Sequence, residues 1–89
     1  MPASVPLLEG LSKGSYYVQI GVYGSNESLS GAVDGFRSTY PLAVEQIAAK
    51  GGAHAYRLYI GPLSRDESGL VLFKIKSMGY RDAFLKQGS

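Results

Sequence analysis

The chain contains no cysteine, no tryptophan and a single histidine. The lack of cysteine excludes a disulfide framework, a thiolate nucleophile and any cysteine-based metal site, and it is compatible with a reducing or an oxidising compartment. His54 stands beside a Gly-Gly turn with no nucleophile or metal-ligand spacing around it, so it reads as a surface loop histidine. No apolar run approaches the roughly 20 residues of a membrane span, and no signal peptide is visible. Charge is also scarce: 18% of residues are charged and the net charge is +2. That balance is too slight for strong attraction to nucleic acid or a membrane surface. Nor do the cations cluster, because Lys74 and Lys76 share one helical segment while Arg37, Arg57, Arg65 and Arg81 are scattered.

What the chain does have is a globular composition, 45% apolar over 89 residues. That is enough for one domain with a small core, so whole faces of its elements must remain in water. Tyrosine supplies seven of the ten aromatic side chains. Its apolar ring and polar tip suit half-exposed surfaces that meet amphipathic ligands. Residues 1–14, rich in proline, serine and glycine, read as a linker, with Leu7, Leu8 and Leu11 available to pack on a domain spanning 15–87.

Within that domain the sequence repeats. YYVQIGVYGSNES begins at Tyr16, and YRLYIGPLSRDES follows forty positions later at Tyr56. Tyr16 matches Tyr56, Ile20 matches Ile60, Gly21 matches Gly61, Glu27 matches Glu67 and Ser28 matches Ser68, in one register. Two copies are too few for a solenoid and point instead to a pseudo-symmetric single domain.

The first strand is expected over Tyr16–Tyr23, with Val18, Ile20 and Val22 on an aliphatic face and Tyr17, Gln19, Gly21 and Tyr23 on the other. Ser25 or Asn26 then caps a helix whose apolar stripe is Leu29, Ala32, Val33 and Phe36. Gly31 and Gly35 each weaken that helix by about 1 kcal/mol, so packing must hold it, and Pro41 stops it at Tyr40. Residues 42–49 (LAVEQIAA) have helical propensity, yet the repeat requires a strand there, expected over 42–47. After a Lys50-Gly51-Gly52 turn, a third strand over 55–60 puts Tyr56, Leu58 and Ile60 on one face and Arg57 and Tyr59 on the other. Ser64 and Glu67 form a capping box for a second helix that runs to about Met78 and buries Val71, Leu72, Ile75 and Met78. Gly79 is its left-handed C-cap. A last strand over 80–86 turns Ala83 and Leu85 inward and Phe84 outward.

The order β-α-β-β-α-β predicts an α+β fold of the ferredoxin or RNP-like kind: a four-stranded antiparallel sheet with both helices on one face. The opposite face is left open, bearing Tyr17, Gln19, Gly21, Tyr23, Arg57, Tyr59 and Phe84. Aromatic rings can lie against sugars or bases, Gln and Arg supply directed donors, and glycines that end strands let a ligand reach the backbone. Tyrosine also favours strands and tolerates exposure without any ligand, so the pattern alone leaves a binding face and a bland face open.

The pair YYVQIGVY and YRLYIGPL, followed by IKSMGYRDAFL, resembles the SPOR (sporulation-related repeat) domain from about Ser15 to Lys86. The resemblance implies the same β-α-β-β-α-β fold. It further implies binding to peptidoglycan, specifically glycan strands stripped of stem peptides where amidases act at division septa. Such domains are commonly periplasmic modules of a membrane- or lipid-anchored parent, which implies a septal location in the cell envelope. By position the family's first-strand glutamine falls on Gln19, its third-strand arginine on Arg57 and its outward last-strand hydrophobe on Phe84. Val22 stands where some relatives carry serine, and Ala55 where some carry an aromatic; Tyr17, Tyr23 and Tyr59 are the rings available in compensation.

Competing readings are weaker. Glycoside hydrolysis needs two carboxyl groups facing each other about 5–9.5 Å apart. Asp34, Glu45, Asp66, Glu67 and Asp82 fall on helix faces, caps and turns, so no enzyme, metal or cofactor is expected. Single-stranded nucleic-acid binding, as in RNA-recognition modules of the same element order, lacks its signature in AYRLYIGP and has too few basic residues for a strong phosphate-tracking surface. A protein-interaction or dimer module is suggested by Leu70 and Phe73, which fall partly off the second helix's buried stripe. The expectation is a monomer that binds glycan strands through Tyr17, Gln19, Tyr23, Arg57, Tyr59 and Phe84, without nucleic acid or membrane insertion.

Overall fold

The computed structural model describes residues 7–8, 13–48 and 50–88. The elements are β1 (Leu7–Leu8), β2 (Tyr16–Tyr23), α1 (Asn26–Phe36), β3 (Leu42–Ala48), β4 (His54–Leu63), α2 (Arg65–Ser77) and β5 (Phe84–Gln87). They form one sheet in the order β1-β3-β4-β2-β5. β2 to β5 make the expected four-stranded antiparallel sheet in the order β-α-β-β-α-β. The two-residue β1 adds to it in parallel, Leu7 opposite Val44 and Leu8 opposite Glu45, and so pairs part of the outer edge of β3. Among the described residues no helix is long and apolar enough to cross a membrane.

Residues 42–48 are a strand despite their helical propensity. Seven consecutive residue pairs with β4, from Leu42 opposite Ile60 to Ala48 opposite His54, outweigh a local preference worth only tenths of a kcal/mol per residue. α1 is capped by Ser25, whose hydroxyl accepts the Ser28 amide at 3.2 Å, and it buries Leu29, Val33 and Phe36. It ends at Phe36 rather than at Tyr40, because the amides of Thr39 and Tyr40 both turn back to the Phe36 carbonyl at 3.0 Å. Both halves of the α2 capping box form: Glu67 N donates to the Ser64 hydroxyl at 3.2 Å, and Ser64 N donates to the Glu67 carboxylate at 3.0 Å.

α1 packs over β2 and β4, and α2 over β2 and β5, so both helices share one side of the sheet. The core there joins Val18, Leu58 and Ile60 of the sheet to Leu29, Val33 and Ile75 of the helices. Three expected core members, Met78, Leu85 and Val22, are exposed instead. Met78 is the C-cap of α2, where Gly79 at φ +109° turns the chain away, and Leu85 lies on β5, an edge strand of the sheet. β5 also starts later than expected. Residues 80–83 form a turn closed by Ala83 N to the Tyr80 carbonyl at 3.1 Å, with the Tyr80 ring against Phe36 at 5.3 Å.

The largest departure lies inside β2. Gln19 pairs with Tyr59, but Gly21 pairs with Leu58, so Ile20 and Gly21 together occupy the place opposite a single residue. This is a β-bulge, and it reverses the alternation of everything after it. Ile20 remains in the core, while Val22 emerges opposite Arg57 and Tyr23 turns to the helix side opposite Tyr56.

Candidate functional site

The sheet face opposite the helices is built from rows of side chains that cross the strands. In one row Glu45, Arg57 and Val22 stand side by side on β3, β4 and β2; in the next, Ala43, Tyr59, Gln19 and Phe84 run across to β5. Tyr17 and Lys86 make a third pair. Gln19 and Arg57, far apart in sequence, therefore share one face, as the alternation predicts, and both are half-buried. Phe84 points outward there at 46% exposure and Val22 at 52%.

Four expected members of this face are placed otherwise, Gly21 among them, since the bulge pairs it with the core residue Leu58. Tyr23, expected outward, belongs to the helix side because of the bulge, and it packs against the main core. Burial first, and then the neighbouring Tyr80, push its hydroxyl pKa up. Tyr17 and Tyr59 are on the sheet face opposite the helices but are not open to water, with exposures of 1% and 0%. Together with Ala43 they form a second, smaller cluster, their rings edge-on at 5.8 Å. Small neighbours make room for them: Ala43 pairs with Tyr59, and a β-carbon at Gly61 would come within 2.6 Å of the Tyr17 ring. Nor do the strand glycines offer bare backbone to a ligand, since Tyr17 covers Gly61 and the Tyr23 ring lies beside Gly21.

Two residues that sequence reasoning passed over complete the face. Glu45 accepts hydrogen bonds from Arg57 Nη1 and from the Tyr59 hydroxyl, both at 2.9 Å. Lys86 Nζ lies 3.4 Å from the Tyr59 oxygen and 5.7 Å from the Tyr59 ring centre. Lys86 has the parity of Phe84, which was recognised, so strand alternation could have found it; Glu45 shares the parity of Ala43, in a strand whose two faces the sequence reading did not assign.

The electrostatics fix this network. Burial, and then the bond to Glu45, push the Tyr59 hydroxyl up to about 12, so it remains a donor. Burial also opposes charge on Glu45, but the hydrogen bonds from Arg57 and Tyr59 and the charges of Arg57 and Lys86 outweigh it and leave its pKa lowered. A lowered carboxylate adds stability above its ordinary value of 4.5 and loses it as pH falls through the folded value. The stability difference between wild type and Glu45→Gln should therefore shrink as pH is lowered from about 5 to about 3 in urea-melt measurements. A difference that stays constant over that range would show that the ionised Glu45 contributes nothing.

Chemically the accessible part of the face offers two apolar surfaces, Phe84 and Val22, flanking a primary amide and a guanidinium. Glu45 uses one nitrogen of Arg57 and leaves other donors of the fork for a ligand. Among the described residues no group of three or more His, Cys, Asp or Glu side chains is placed to hold a metal.

Neither a curated protein nor a solved structure matches the chain. The family model of the SPOR domain matches residues 12–87, which take in β2 to β5 and both helices. With nearly all of its length matched, the chain belongs to the SPOR domain family, peptidoglycan-binding domains found in proteins of the cell envelope and periplasm.

Proposed function

We propose that residues 15–87 form a non-catalytic module that binds peptidoglycan glycan strands lacking stem peptides, laid across the sheet face opposite the helices. The observation that carries this reading is the convergence of Gln19, Arg57 and Phe84, from three different strands, on one uncovered face. A sugar ring presents an apolar face and an edge of hydroxyl and acetamido groups. Phe84 and Val22 meet the first kind of surface, while the Gln19 amide and the spare Arg57 donors meet the second. Tyr17 and Tyr59 act beneath the ligand, Tyr59 by holding Glu45 and through it Arg57.

A bare glycan can lie closer to this face than one that carries a peptide on every second sugar. Glycan without peptides arises where amidases work, so the module directs a membrane- or lipid-anchored parent to the division septum, acting as a monomer. Retention on purified sacculi tests the reading: amidase pretreatment should raise the bound fraction several-fold. Retention that is unchanged or lowered by amidase would refute the preference for stripped strands.

A further inference from the structure

We infer that Lys86 makes the sheet face a reader of carboxylate charge on the glycan, an inference that rests on the proposed glycan binding. The face carries two cations and one anion among its described residues. Arg57 is paired with Glu45 at 2.9 Å. Lys86 has no carboxylate within ion-pair distance among the described residues, and its recorded contacts are the Tyr59 oxygen at 3.4 Å and the Tyr59 ring. It is half-buried two residues along β5 from the outward Phe84, in the strand that also pairs with Gln19. The hydroxyl of Tyr59 is committed as a donor to Glu45, so it offers Lys86 only a lone pair and leaves ammonium protons free. A partly desolvated cation held beside an apolar contact surface favours an anionic group on the ligand that lies there.

The chemistry of stripping supplies that anion. Hydrolysis of the amide between a sugar's lactyl group and its peptide consumes one water, sends the amine away with the peptide and leaves a carboxylate on the sugar. A stripped strand therefore differs from an intact one in charge at the sugar as well as in bulk. Loss of bulk alone would favour a stripped strand; Lys86 adds an attraction that exists only after the amide is cut.

The test is equilibrium binding of amidase-stripped glycan, beside the same glycan with its carboxylates converted chemically to neutral methylamides. Wild type should bind the free-acid form about tenfold more tightly than the neutral form, the scale of one charge-assisted hydrogen bond. Lys86→Gln should bind both forms alike, at the level of wild type on the neutral one. Lys86→Arg should keep the discrimination, and so should Lys74→Gln, on the exposed side of α2. Equal binding of both forms by wild type would overturn the role of charge while leaving glycan binding intact, as would discrimination that survives in Lys86→Gln. Failure of wild type to bind either form would remove this inference together with the proposed function.

Discussion

Gly61→Ala is expected to destabilise the domain by about 3 kcal/mol, summing the usual costs of backbone strain and overpacking. Gly61 sits at φ +152°, a conformation that side-chain-bearing residues rarely adopt. A β-carbon there would come within 2.6 Å of Tyr17 Cδ1 and 2.9 Å of the Tyr16 carbonyl oxygen. In an open site the ring would swing aside, but Tyr17 is packed against Tyr59 and buried, and the carbonyl belongs to the strand backbone itself. In a domain of this size the loss corresponds to a fall in Tm on the order of 15 °C. Gly24→Ala, at a position with nothing within 4 Å, is the control and should stay within about 0.5 kcal/mol of wild type. Equal stability of the two variants would show that the Tyr17 cluster yields freely and is no fixed part of the platform.

That cluster also marks where sequence reasoning succeeded and where it failed. The forty-residue repeat, the helix stripes and the Ser64–Glu67 box led to the right element order and the right sheet, because each depends on near neighbours. The side of Gln19, Arg57 and Phe84 was legible for the same reason: each lies on a stretch of strand whose alternation is unbroken. Tyr23 and Val22 were misplaced because a bulge adds one residue without changing the pattern of apolar letters. A glycine inside the strand, Gly21, was the available warning, since glycine within a strand often accompanies a bulge. The burial of Tyr17 and Tyr59 was not legible at all. It depends on Gly61 and Ala43 lying beside the two rings, contacts that only the sheet register brings about. Glu45 was grouped with the acids of helix faces, caps and turns although residues 42–47 were expected as a strand, and its partner Arg57 is named only once β3 is laid against β4.

With the tyrosines buried, the proposed contact with a sugar falls to fewer side chains, and Phe84 carries the largest accessible apolar surface among them. Phe84→Ala is therefore expected to weaken binding of stripped glycan about tenfold or more, the consequence of removing the largest exposed aromatic contact of a small interface. Loss of fold is not a rival explanation, because Phe84 is 46% exposed on an outer strand and belongs to neither buried cluster. The matching control is Phe73, 71% exposed on α2 and hence on the other side of the sheet. It is the same residue type with more surface, so hydrophobic stickiness alone would make it the more damaging loss.

The proposal that the ligand lies on the uncovered side of the sheet thus comes down to a paired affinity measurement on one stripped glycan, by calorimetry, with wild type, Phe84→Ala and Phe73→Ala. The account predicts a tenfold or greater loss for Phe84→Ala and an unchanged affinity for Phe73→Ala. Unchanged affinity in Phe84→Ala, or a loss confined to Phe73→Ala, would place the glycan on the helices and contradict it.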